Sequence, residues 1–239
     1  MTELLYQTDS YLQEFEAKID SVLPDERAVD LDRTAFYPGG GGQPSDFGSL
    51  TVGDITYPVE KVKKQGDHVL HYLGGDATLP SIGTASHGTL DWARRYKLMR
   101  THTALHVLCG TIFRDYGALV TGGNMEPLKG HLDFEFATMR GELVREIEAA
   151  INKEAQAGRD VRVNILPREE AFQIPDLIRT KINLLPAGIT HVRTIEIVGL
   201  DLQADGGTHV RNTNEVGKIR VADYKSKGAI NKRIYIELE

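Results

Sequence analysis

Apolar and polar residues alternate one for one near the start of the chain, and later switch to a helical period. Phe15, Ala17 and Ile19 are separated by charged residues across 14–20, the period of a half-buried strand. Pro24, Asp25 and Glu26 turn the chain, and residues 28–32 return it. Further strand-like runs follow at 55–62 and 68–73, split by Gly66. Short strands punctuated by Gly and Pro predict a small β-barrel or sandwich. Gly74, Gly75, Pro80 and Gly83 then break the pattern, and helical composition starts behind Asp91, placed as an N-cap. Trp92, Tyr96, Met99, Thr103, His106 and Phe113 keep a helical stripe as far as Tyr116.

Beyond this helix, 131–136 alternates as a strand. Leu143, Ile147, Ala150 and Ile151 share one face of a second amphipathic helix over 141–157, closed by Gly158. A strand is expected at 161–166, a helix interrupted by Pro175 at 167–179, and a strand at 192–198. Residues 219–222 and 233–237 read as a closing hairpin. The fold class is therefore α+β. A small N-terminal β-barrel-like domain, residues 1–85, precedes a two-layer α+β domain, residues 86–239, with helices on an antiparallel sheet.

Composition narrows the function classes. The chain has 239 residues, a formal net charge of −6 and one cysteine, Cys109. An internal disulfide is excluded, no apolar run is long enough to cross a bilayer, and the acidic start is unlike a signal peptide, so a cytoplasmic protein without membrane partners is expected. Gripping a long duplex is disfavoured by the acidic balance. Basic residues nevertheless gather at Arg94, Arg95, Lys97 and Arg100, and again at Lys225, Lys227, Lys232 and Arg233. Scattered surface charge is the plain reading; local contact with a phosphate backbone is the functional one.

The chemistry concentrates in two pairs. His102 and His106 lie four apart in a helix, which stacks both imidazoles on one face. Asp205 and His209 are also four apart, but Gly206 and Gly207 between them demand a turn. Either pair alone reads first as ordinary structure. Together they offer one divalent cation three imidazoles and a carboxylate, a donor set that suits zinc. Thr103 stands where a zinc protease has its glutamate base, so a metalloprotease is excluded. The glycine run 39–42 before Gln43 lacks the Lys-Ser/Thr of a phosphate-binding loop. It supplies unusual backbone torsions, flexibility, or close approach to a ligand, and the residues alone do not choose.

Four stretches in order carry a resemblance: Asp32-Arg-Thr-Ala-Phe-Tyr-Pro-Gly-Gly-Gly-Gly-Gln43, Arg100-Thr-His-Thr-Ala-Leu-His106, Asp205-Gly-Gly-Thr-His209, and Ser226-Lys-Gly-Ala-Ile-Asn-Lys-Arg233. The chain resembles the editing region of alanyl-tRNA synthetase and, more closely, the free-standing AlaX trans-editing proteins of medium length. That resemblance implies a deacylase for mischarged tRNA(Ala), chiefly the seryl ester with the glycyl ester second, using one zinc ion per chain. It implies His102, His106, Asp205 and His209 at the metal. Gln43 and Thr34 would position substrate or water, and Arg94, Arg95, Lys225, Lys227, Lys232 and Arg233 would touch tRNA. The rival readings are a non-catalytic tRNA-binding module with a structural metal, and a metal-dependent small-molecule esterase. Asp205 replaces the Cys of the synthetase pattern, and either binds metal directly or orients a histidine or water beside it.

Overall fold

The computed structural model describes residues 1–136, 138–180, 185 and 188–239. They form two compact units, Met1–Lys97 and Leu98–Glu239.

In the first unit a two-residue strand β1 (Glu3–Leu4) pairs in parallel with β4 (Arg33–Thr34). The strands β2 (Glu14–Leu23), β3 (Ala28–Leu31), β5 (Gly48–Val52), β6 (Ile55–Gln65), β7 (His68–Leu73) and β8 (Ala85–Leu90) close into a barrel. Its order is β2-β3-β7-β6-β5-β8, so no hydrogen-bonding edge is left open. The alternation in β2 does what its period demands: Phe15, Ala17 and Ile19 point inward and their charged neighbours outward. Phe36, Leu50, Val59 and Val69 complete the same core. The break was expected at residue 85. The first unit continues to Lys97 because β8 closes the barrel, pairing with both β2 and β5.

Helix α1 (Trp92–Tyr116) starts in the first unit and runs on into the second. Asp91 caps it as expected, its carboxylate accepting the Arg94 backbone N–H at 3.0 Å.

The second unit contains β9 (Val120–Glu126), β10 (Lys129–Glu135), α2 (Gly141–Gln156), β11 (Val161–Pro167), α3 (Arg168–Ala171), β12 (His191–Ile197), β13 (Asp201–Ala204), β14 (Ile219–Ser226) and β15 (Asn231–Leu238). One sheet runs β14-β15-β10-β9 and a smaller one β11-β12-β13, and every pairing within them is antiparallel. Phe134, Ile234 and Ile236 from the larger sheet, Leu108 and Ile112 from α1, and Ile147 and Ile151 from α2 are all buried. Two side chains of α2 cover the outer edge of β14. Glu148 accepts the Val221 N–H at 2.6 Å, and Asn152 exchanges two hydrogen bonds with the Ile219 backbone. The helix expected over 167–179 is only the single turn α3: Pro175 lies just beyond, and Asp176 has φ +53°. Among the described residues, no helix is long and apolar enough to cross a membrane.

Candidate metal centre

α1 carries His102 and His106 on the same face, their ring centroids 5.1 Å apart. Both are buried in the second unit. The opposing residues arrive from β13, which ends at Ala204 and releases the chain into the Asp205-Gly206-Gly207 turn. The Asp205 carboxylate caps its own turn, accepting the Gly207 N–H at 2.7 Å. That turn brings His209 back onto α1, where its ring stacks on His102 at 4.2 Å and lies 4.7 Å from His106. The two pairs that the sequence holds a hundred residues apart thus meet.

One donor atom from each of His102, His106, Asp205 and His209 lies within 4.8 Å of the other three. The Asp205 carboxylate faces three Nε2 atoms, at 3.5 Å from His102, 3.9 Å from His106 and 3.1 Å from His209. Donors about 2.0–2.2 Å from a tetrahedral cation are separated by roughly 3.4 Å. The set of four could therefore hold a divalent metal.

Protonation favours the same use. Burial pushes His102 down to about 4, with Asp205 opposing and the charges of His106 and Arg193 assisting. Burial and the neighbouring His102 hold His209 well below the imidazole range. Burial alone would raise Asp205, but the surrounding histidines outweigh it and hold the carboxylate well below its usual range. Burial would lower His106 too, but the bond to Asp201 and the charges of Asp201 and Asp205 win and raise it. Two imidazoles that burial keeps from protonation and a carboxylate held ionised are what a cation requires of those three donors.

Sequence reasoning missed several supports of this site. The Thr103 hydroxyl lies 3.2 Å from His209 Nδ1 and accepts the Val210 N–H, tying the turn to α1. Arg193, buried on β12, donates to the Asp205 carbonyl at 2.9 Å, while its own carbonyl accepts the Asp205 N–H. Asp201 lies 3.1 Å from His106 Nδ1. Only Thr103 carried a signal, by standing between the two histidines. Cys109 is buried and takes a 3.4 Å contact from Gln203, which makes it a core residue as expected.

Gln43 and Thr34 belong to the first unit, and both are buried. All four glycines before Gln43 have positive φ, and Gly40 and Gln43 exchange backbone hydrogen bonds at 3.0 and 2.9 Å. The run is a tight, torsion-demanding turn. Thr34 lies 2.8 Å from His71 Nε2, while His71 Nδ1 is 3.3 Å from the Val29 carbonyl. A carbonyl only accepts, so His71 carries its proton on Nδ1, and the Thr34 hydroxyl donates to Nε2. The Phe36 N–H donates to the same hydroxyl.

The basic residues divide. Arg95 is fully buried and is corrected from a tRNA contact to an internal strut. It pairs with the Asp46 carboxylate and donates to the Ser10 and Ala35 carbonyls. Lys232 is buried as well, its ammonium held by the Gly228 and Ala229 carbonyls at 2.7 and 2.9 Å. Arg233 grips both oxygens of Asp133. Arg94 is half-buried with its guanidinium over the Phe47 ring. Lys225 and Lys227 stay exposed at the tip of the β14–β15 hairpin.

Comparison with known proteins sets this geometry in context. The family model of the threonyl and alanyl tRNA synthetase second additional domain matches residues 192–235, which contain Asp205 and His209. The model of class II (A) tRNA synthetases matches residues 7–94. The chain is 38% identical over 239 residues to the alanyl-tRNA editing protein AlaX-M of Saccharolobus solfataricus, covering 98% of both. To the AlaX-M of Methanosarcina acetivorans it is 38% identical over 244 residues, with 100% of this chain and 99% of that one covered. It is also 38% identical to the alanine–tRNA ligase of Ignicoccus hospitalis over 226 residues, spanning 92% of this chain but only 24% of the ligase.

Proposed function

Because the chain belongs to the AlaX-M family of alanyl-tRNA editing proteins, we propose that it hydrolyses mischarged tRNA(Ala) in trans, using one zinc ion per chain. The protein is an aminoacyl-tRNA deacylase, a carboxylic ester hydrolase. The observation that carries the reading is the convergence of His102, His106, Asp205 and His209 on one point in a chain related to the family over its full length. The ester of serine is the main substrate and that of glycine the second. A pocket shaped for alanine rejects one added hydroxyl only weakly and cannot exclude a smaller side chain, so a separate hydrolytic site is needed. The work belongs in the cytoplasm, where tRNA is charged.

His102, His106 and His209 would hold the cation through Nε2 and Asp205 through its carboxylate. Bound there, zinc supplies a positive centre for orienting the ester and polarising its carbonyl. The chain's own contribution is fixed placement: Thr103, Arg193 and the Gly207 N–H lock the turn, so the donors need little rearrangement. Gln43 offers an amide that both donates and accepts, suited to positioning substrate or water. Thr34 acts indirectly, since its proton is committed to His71. Lys225 and Lys227, with Arg94 and Arg233 in support, contact the phosphate backbone.

Incubation of Ser-tRNA(Ala) with zinc-loaded protein should release serine while leaving Ala-tRNA(Ala) charged. The His102→Ala/His106→Ala double variant should lose zinc and turnover together. Serine release no faster than in buffer would refute the reading. Four donors already fill a tetrahedral shell, which favours a structural metal in a tRNA-binding module; that rival predicts tight binding of tRNA without turnover.

A further inference from the structure

Asp201 opens β13 and is buried behind His106, against the nitrogen that does not face Asp205. Its Oδ2 lies 3.1 Å from His106 Nδ1. A carboxylate can only accept in this contact, so Nδ1 bears the hydrogen and donates it. Nε2 is then left with its lone pair, and Nε2 is the atom directed at Asp205 Oδ2, 3.9 Å away.

The surroundings keep Asp201 in that position. Gln203 donates to the same Oδ2 at 2.6 Å. On the far side, Asp201 Oδ1 lies 3.8 Å from Arg179 Nε, whose guanidinium stacks on the Phe113 ring at 3.6 Å. Oδ1 has no hydrogen-bond partner among the described residues, so Arg179 answers its charge as an ion pair rather than through a hydrogen bond. Gly110 on α1 makes the approach possible. A Cβ there would come within 2.8 Å of the Asp201 Cβ and 3.0 Å of the Leu200 carbonyl. Burying a carboxylate is costly, and an apolar residue would tie β13 to α1 at lower cost.

We propose that Asp201 is a positioning residue of the editing reaction, fixing His106 in the Nδ1–H tautomer and aiming its Nε2 at the cation held with His102, Asp205 and His209. The inference rests on the zinc reading above. It separates two carboxylates four residues apart: Asp205 stands among the donors, and Asp201 stands behind one of them. Metal-bound histidines commonly give their second N–H to such a partner, and losing it costs about 10–100-fold in metal affinity.

The experiment titrates zinc into metal-free wild type and Asp201→Asn, in competition with a chromophoric chelator. Asparagine must turn its NH2 either toward Arg179 or toward the Gln203 and His106 donors, so either orientation loses an interaction. The expected result is one zinc per chain in both, bound about 10–100-fold more weakly by the variant, with the unfolding midpoint of the metal-free proteins matched. Equal affinities would overturn the role of Asp201 while leaving the zinc reading intact. No zinc bound by wild type would overturn both. Nitrogen-15 spectra of zinc-loaded wild type give a readout independent of folding in the variant. A proton on His106 Nδ1 supports the proposal, and a proton on Nε2 defeats it.

Discussion

His71, on β7, is a neutral imidazole walled into the barrel, and burial pushes it down to about 4. In the unfolded chain it titrates near 6.5. Between those values the unfolded state binds a proton that the folded state refuses, so stability rises with pH across this window. It is lost as pH falls from 6.5 toward 4 and is flat on either side, a loss of about 3 kcal/mol from this group alone. Urea midpoints measured from pH 7.5 down to 4 should include that slope, and His71→Gln should reduce it, with His102 still contributing. An unchanged slope in the variant would move the effect elsewhere. Of the candidate site, the four donors were legible in the sequence because each pair has the spacing of one local element. Asp201 and Arg193 were not, since only the packing of β12 and β13 against α1 assigns them a partner.

At the scale of elements, the opening turns of α1 are held within the first unit by a salt bridge that sequence reading took for a nucleic-acid contact. Arg95 in its first turns reaches Asp46, and Asp46 in turn accepts the Tyr37 N–H at 2.6 Å, closing the loop that carries Gln43. Arg95→Ala leaves a buried carboxylate unpaired and should cost about 3–5 kcal/mol. Denaturant unfolding checks this, and a variant of full stability with weakened tRNA binding would restore the surface reading. A charge cluster in one dimension does not reveal which member faces inward. The strands show a similar limit. β2 and β10 announced themselves by alternation, and β3, β6, β7, β11, β12 and the β14–β15 hairpin as short strand-like runs between turns. β8 and β9 did not, because glycine hides a strand. At Gly88 a Cβ would stand 2.4 Å from the Phe15 ring, and at Gly123 2.5 Å from Leu132, so tertiary packing selects both residues.

For the molecule as a whole, the net charge of −6 coexists with an exposed basic hairpin tip. Lys225→Glu/Lys227→Glu should weaken tRNA binding and lower the slope of log affinity against log salt by about 1–2. Fluorescence anisotropy at several salt concentrations measures this, and an unchanged slope would relocate the RNA surface. Lys232→Ala, by contrast, should act through stability, since its ammonium stitches the hairpin loop. Having Asp205 where the synthetase pattern has cysteine also settles how the protein meets oxidants. A carboxylate has no sulfenate or mixed-disulfide chemistry, and the chain's one thiol, at Cys109, is walled in, with burial pushing its ionisation far up. Peroxide and alkylating reagents thus find no thiolate among the four donors, and proofreading would continue under stress that silences a cysteine-ligated counterpart.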